Sequence, residues 1–301
     1  MNPYWAKYRK DYLNYLKIEK SLSANSVDAY LRDYDKLASY FSDIQPTPPE
    51  NIDLNDLQSF VKWIAEMGIS ARSQARIISG IRSFYSYLII EDVLKDDPTD
   101  LLELPKLGRK LPEVLTIEEI DNLKGAVDLS KPEGHRNKAI IETLYSCGLR
   151  VSELVNLQLT NIYFEDGFMR VIGKGNKERL VPVNEEVEKE INWYVNHVRN
   201  HMDIKQGHED FVFLNRRGAQ LTRVMIFTII KDLATAIQLN KTVSPHTFRH
   251  SFATHLVEGG ANLRAVQEML GHESISTTEI YTHLNNDYLR EAIISFHPRS
   301  N

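Results

Sequence analysis

Nine residues about a third of the way along the chain read Leu104-Pro-Lys-Leu-Gly-Arg-Lys-Leu-Pro112, with two prolines, one glycine and three positive charges but no negative one. Proline fixes its own φ and drives the preceding residue out of the helical region, so the stretch reads as extended. No helical body can run through it. The 301 residues therefore divide, as a chain of this length suits two domains. We place the domains at residues 1–104 and 113–301, with 105–112 as the linker.

The first domain reads as four helices. Residues 3–20 have helical spacing. Ser23 and Asn25 offer caps for a second helix through about Phe41. Pro46-Thr-Pro-Pro49 is a break, and Asp53 or Asn55 can cap a third helix, Leu57 to Glu66. Ser70 opens the fourth, with Ile77, Ile78, Ile81, Phe84, Tyr85 and Leu88 on its buried side. In the second domain Thr116-Ile-Glu-Glu119 is a capping-box pattern, and a helix runs from about Gly134 to Cys147. The period then changes. Ile162-Tyr-Phe, Asp166-Gly167 and Phe168-Met-Arg-Val-Ile172 form a hairpin signal. Gly173-Lys-Gly-Asn-Lys177 is a second turn before a strand, Arg179 to Val183. Helices resume to the end. The fold class is mainly α with a small antiparallel β-sheet in the second domain.

Composition narrows the class further. The single cysteine, Cys147, rules out a disulfide framework and a Cys-rich zinc site, and its apolar setting reads as a small buried hydrophobe. The polar N-terminus carries no signal peptide and no window approaches a membrane span, so a cytoplasmic protein is expected. The net charge of −5, averaged over the surface, argues against nucleic acid. The local arrangement argues the other way. Acidic residues gather at Glu185-Glu186-Val-Glu188-Lys-Glu190, read as an exposed helix face; basic ones gather at Lys106–Lys110, Lys174–Arg179 and Arg216-Arg217. An acidic back and a basic groove would give this total, and the linker could then strap along a phosphate backbone.

Chemistry concentrates in the second half. Ser244-Pro245 starts a helix, with serine at N-cap and proline at N1. That puts His246 in the first turn, where free N–H groups favour an anion, and Arg249 on nearly the same face. Arg150 follows an apolar helix at Gly148-Leu149, and Glu153 could hold its guanidinium. Lys174 sits in a two-glycine turn, where it is either a solubilising tip or a mobile proton donor. Gly271 suits a helix C-terminus, and His272 follows it. Ser276-Thr-Thr-Glu279 can cap a short helix carrying Tyr281. Two arginines, a lysine and two histidines can surround one phosphate, and a tyrosine can attack it.

Gly148-Leu-Arg150-Val-Ser-Glu-Leu154, the run from His246 through Arg249 to His255-Leu256, Leu270-Gly-His272 and Tyr281 resemble the tyrosine recombinase family in order and spacing. Ser21-Leu-Ser-Ala-Asn25, Ser70 to Arg76, and Asp96-Asp-Pro-Thr99 before Leu104-Pro-Lys106 extend the resemblance to Xer-type chromosome-dimer recombinases. The resemblance implies a two-domain DNA clamp: a SAM-like four-helix core-binding domain and an α+β catalytic domain. It implies that Tyr281 forms a 3′-phosphotyrosyl link and frees a 5′-hydroxyl. Arg150, Arg249 and His272 would stabilise the phosphorane, Lys174 would protonate the leaving oxygen, and His246 would assist Tyr281. No metal or nucleotide cofactor is needed. Arg72, Gln74 and Arg76, and in the second domain Thr222 and Arg223, become candidate DNA readers.

The partners implied are a double-stranded recombination site, a homo- or hetero-tetramer with a second Xer-type recombinase, and a DNA translocase as activator; no membrane is involved. The last helix, about Tyr288–Phe296, carries apolar Leu289, Ile293, Ile294 and Phe296. By resemblance it would dock on a neighbouring protomer; folding back on its own domain is the rival. Other functions compatible with the residues are a mobile-element integrase or relaxing topoisomerase of the same chemistry, a non-catalytic architectural DNA binder, and a metal phosphodiesterase using His246 and His250. The last lacks the general-base glutamate of His-Glu-x-x-His.

Overall fold

The computed structural model describes residues 3–43, 46–106, 108, 113–271 and 283–299. The chain forms two compact units, Met1–Lys110 and Leu111–Asn301, each described here by itself. Most of the linker, residues 107 and 109–112, falls outside the described residues.

The first unit contains α1 (Pro3–Ile18), α2 (Ala24–Asp43), α3 (Leu54–Glu66) and α4 (Ala71–Ile90). Its caps are those the sequence offers. Asp53 closes a capping box with Asp56, and the Ser70 hydroxyl accepts from the Ser73 amide. The helix thus starts at Leu54 rather than Leu57, because Asp53 is the cap. The core is aromatic: Trp5, Tyr12, Tyr34, Phe41, Phe60, Phe84 and Tyr85 are almost fully buried, and ring pairs such as Tyr34–Phe84 meet edge to face at 4.8 Å. Ile77, Ile78, Ile81 and Leu88 complete the inner face of α4.

A polar contact joins α2 to α4 at the edge of this core. Asp33 of α2 is only 2% exposed, and its Oδ2 accepts from Arg76 Nη1 of α4 at 2.6 Å. The approach depends on Gly80, where an added Cβ would lie 2.6 Å from Asp33 Oδ2 and 2.8 Å from Asp33 Cβ. Gly80→Ala gains at most about 1 kcal/mol of helix propensity. The clash with Asp33 costs about 1–3 kcal/mol as overpacking and should win. Urea unfolding followed by Trp5 and Trp63 fluorescence should therefore show a lower midpoint for the variant.

The second unit is built round α6 (Gly134–Ser146), flanked by α5 (Ile117–Gly125), α7 (Val151–Val155) and α8 (Glu185–His197). Residues 139–149 are buried without interruption, and Arg150 is where the chain emerges. Burial pushes the Cys147 thiol well up, as befits a packing residue. The strands β1 (Ile162–Tyr163), β2 (Phe168–Ile172) and β3 (Glu178–Pro182) form an antiparallel sheet in sequence order, with Met169 opposite Val181 and Val171 opposite Arg179. Then come α9 (Arg223–Ala236), α10 (Pro245–Gly259), α11 (Leu263–Leu270) and α12 (His283–Phe296).

One expectation is corrected. The acidic run at 185–190 is not simply a solvated face: Glu190 is 4% exposed, and Lys124 Nζ reaches Glu142 at 2.8 Å, Glu186 at 2.6 Å and Glu190 at 3.4 Å. α8 packs on α6, and the charges buried between them need partners. The terminal helix follows the rival reading in this single chain. Leu289, Ala292 and Ile293 are buried in a small core with Phe252, Leu256, Val266 and Met269 of α10 and α11. Gly259 permits it, since a Cβ there would lie 2.6 Å from the Phe296 carbonyl oxygen. Beyond α12, His297 is fully buried, and Arg299 pairs with Asp121 and lies 3.4 Å from Glu142. Burial, with Arg299 nearby, pushes the His297 imidazole down to about 3. Among the described residues no helix is long and apolar enough to cross a membrane.

Candidate active site

Arg150 is the N-cap of α7 and emerges from the buried run with its side chain 32% exposed. Its Nη1 donates to Glu153 Oε1 at 2.8 Å, and its own backbone N–H donates to Glu153 Oε2 at 2.8 Å. Glu153 therefore holds the guanidinium, as the sequence spacing suggests. The turn before Arg150 is tight. Gly148 has φ +57°, and a Cβ there would lie 2.5 Å from the Phe252 ring of α10. Glycine is the residue that adopts this conformation and leaves that space.

α10 starts as expected: Ser244 accepts from the Thr247 amide and Pro245 opens the helix. His246 is exposed in the first turn, and Arg249 one turn on is 9% exposed. Arg249 Nη1 donates to the Gly148 carbonyl at 2.7 Å, and Nη2 donates to the Leu270 carbonyl. Burial, reinforced by repulsion from Arg150, brings its guanidinium down to about 9, still cationic at neutral pH.

The end of α11 gathers these cations. Arg249 takes the carbonyl of Leu270, and Arg150 Nη2 takes that of Gly271 at 3.0 Å. A third arginine, Arg179 of β3, takes the carbonyl of Met269 through Nε at 2.7 Å. Three consecutive carbonyls at the electronegative end of a helix thus each hold one guanidinium. Arg179 also grips Glu153 with both Nη atoms, each at 2.8 Å. Burial alone would raise the Glu153 carboxyl, but Arg179 and Arg150 outweigh it and hold it below its ordinary value. Gly271 closes α11 with φ +64°, and a Cβ there would lie 3.1 Å from Arg179 Cδ.

Lys174 opens the 3-10 turn Lys174–Asn176 between β2 and β3; nothing is described of its side chain. Gly173, just before it, sits against the Glu153–Arg179 pair, 3.4 Å from Glu153 Oε1 measured from an added Cβ. His272 and Tyr281 lie outside the described residues. His272 directly follows Gly271, whose carbonyl Arg150 holds.

The candidate DNA readers differ among themselves. Arg72 and Arg223 are exposed at the starts of α4 and α9. Thr222 is the N-cap of α9 and accepts from the Met225 amide at 3.2 Å. Gln74 donates to the Ile69 carbonyl at 2.6 Å, and Arg76 is engaged with Asp33. Sequence reading did not single out Arg179, although a signal was present. It shares strand parity with the inward-facing Val181, and an arginine at an inward position needs a buried partner.

Comparison with known proteins gives the family. The phage integrase family matches residues 113–287, and the phage integrase N-terminal SAM-like domain matches residues 10–92. A tyrosine recombinase XerD of Staphylococcus haemolyticus (strain JCSC1435) is 43% identical over 291 residues, 97% of this chain and 98% of the relative. The crystal structure of XerA recombinase is 30% identical, with TM-score 0.50 over 95% of this chain and 96% of that one. XerH bound to its difH substrate in a pre-cleavage complex shares the fold at 24% identity, with TM-score 0.66 over 83% of this chain and 74% of that one. This chain belongs to the phage integrase family, within its Xer-type tyrosine recombinases.

Proposed function

We propose that this site-specific recombinase cuts and rejoins duplex DNA through Tyr281, with Arg150, Lys174, His246, Arg249 and His272 around the scissile phosphate. One observation carries the reading: Arg150 and Arg249 arrive from different helices at the adjacent carbonyls of residues 271 and 270, immediately before His272. The Tyr281 phenolic oxygen attacks phosphorus, and the bond to the 5′-oxygen breaks. The phenol's proton passes to His246, and Lys174 gives a proton to the leaving oxygen. A free phenol titrates near 10, so a cationic site favours the attacking form. Negative charge grows on the non-bridging oxygens, where the two guanidinium groups and His272 stabilise it. A 5′-hydroxyl of the partner strand then attacks the phosphotyrosyl ester and releases Tyr281.

Residues 1–104 serve in this reading as the core-binding domain, 105–112 as the linker and 113–301 as the catalytic domain. Arg72, Gln74, Arg76, Thr222 and Arg223 are assigned to DNA contact; Arg72 and Arg223 are exposed cations, whereas Gln74 and Arg76 are engaged with Ile69 and Asp33. Kinship with proteins named XerD supports chromosome-dimer resolution in the cytoplasm by a tetramer on its site, and XerH on difH is a relative held on DNA.

A nicked suicide duplex carrying a recombination site tests the reading. Wild type should accumulate a covalent protein–DNA adduct, in excess EDTA as well, and Tyr281→Phe should form none. An adduct that persists in Tyr281→Phe removes the assignment. Loss of the wild-type adduct in EDTA points to a metal enzyme.

A further inference from the structure

Glu153 poses an electrostatic problem for the proposed site. It is a carboxylate, 1% exposed in its side chain, hydrogen-bonded at 2.8 Å to the very arginine proposed to meet the phosphate. A lone carboxylate there would cancel the Arg150 charge where the reaction needs it. Buried ion pairs are strong when water is excluded, so the cancellation would be severe.

The geometry around Arg179 resolves it. Arg179 comes from β3, is 7% exposed in its side chain, and meets both oxygens of Glu153 in a two-pronged contact. Such planar, bidentate pairs are the strongest arginine–carboxylate arrangement. The remaining bonds to Glu153 come from Arg150, one from Nη1 and one from its backbone N–H. Glu153 thus uses Arg179 as its counter-ion and Arg150 as the group it aims. Three guanidinium groups, those of Arg150, Arg179 and Arg249, lie about one carboxylate. The cluster therefore keeps an excess of two positive charges. That excess matches the dianion a phosphodiester becomes when a fifth oxygen adds to phosphorus.

Arg179 has two further neighbours. Its Nε holds the carbonyl of Met269, three residues before His272, and its Nη1 lies 3.6 Å from an added Cβ at Gly173, which precedes Lys174.

We propose that Arg179 is a positioning residue whose charge occupies Glu153, so that Glu153 orients Arg150 without neutralising it. This rests on Arg150 serving the phosphate as assigned above, and nothing in it requires Arg179 to touch DNA.

The test uses the full chain and the nicked duplex on which wild type forms its adduct, in single turnover at saturating DNA. Arg179→Met should slow adduct formation on the order of 100-fold, as for loss of one effective donor. Duplex binding should stay within about threefold, since Arg179 makes no phosphate contact in this reading. Adding Glu153→Gln to Arg179→Met should restore at least about tenfold of the lost rate, because the uncompensated carboxylate is then gone. A merely structural tie to Met269 gives no such recovery. The proposal is overturned if the double variant cleaves no faster than Arg179→Met. Arg179→Lys keeps the charge and loses the fork, and should stay within about tenfold of wild type. Should Arg179→Met fail to fold, Arg179→Lys decides: cleavage as weak as that of Arg150→Ala overturns the proposal. The underlying site reading fails separately, if Arg150→Ala leaves adduct formation intact.

Discussion

Arg249→Ala is expected to slow adduct formation roughly 100- to 1,000-fold, the usual loss when one preorganised donor is removed from an oxygen that gains charge in the transition state. The same side chain has a second task. Its two Nη atoms hold the carbonyls of Gly148 and Leu270, both in buried surroundings. Left without donors, each carbonyl costs about 1–3 kcal/mol. The alanine variant should therefore also unfold at lower denaturant. Arg249→Lys separates the two effects. It keeps the charge but lacks the fork that reaches both carbonyls, so it should regain more cleavage than stability. Single-turnover cleavage and urea unfolding, measured on the same preparations, check this. Near-normal cleavage by Arg249→Ala would remove Arg249 from the site.

Glu153→Ala should destabilise the second unit by about 3–5 kcal/mol, the penalty for breaking a buried ion pair from one side. It strands Arg179 at 7% side-chain exposure and frees Arg150 at once. Glu153→Gln should cost less, because an amide oxygen still accepts one bond. The pH dependence follows from the lowered Glu153 carboxyl. Its contribution is fully present above the ordinary value of 4.5 and is lost as pH falls through the lower folded value. The stability gap between wild type and Glu153→Gln should therefore be constant above about pH 5 and shrink below it, as guanidinium unfolding across that range will show.

Local chemistry made much of the fold legible. A serine before proline gave the start of α10, Thr116 and Glu119 gave that of α5, and glycine-rich turns gave the strands at 162–182. These features depend on residues a few positions apart, and periodicity reports such features well. The partners of the candidate site residues were less legible. Arg150 and Glu153 are three apart and could be paired by eye. Arg179 reaches Glu153 from 26 residues away, and Arg249 reaches Gly148 from 101 away. No local pattern encodes such distances. The tail behaves likewise. His297 and Arg299 have no periodic signal, yet they pack on Tyr145 because tertiary structure supplies a ring at 4.9 Å and a cation–π seat at 5.7 Å.

If Arg76 meets DNA as proposed, its bond to Asp33 ties that contact to the packing of the first unit. Burial holds the Asp33 carboxyl above its ordinary value, despite the opposing charges of Arg76, Arg32 and Lys36. An anion that drew Arg76 away would strip Asp33 of its hydrogen-bonded counter-charge. Neutralising the acid is then the easiest relief. Capture of a phosphate by that arginine would carry a proton with it, and the affinity would climb as the medium is acidified.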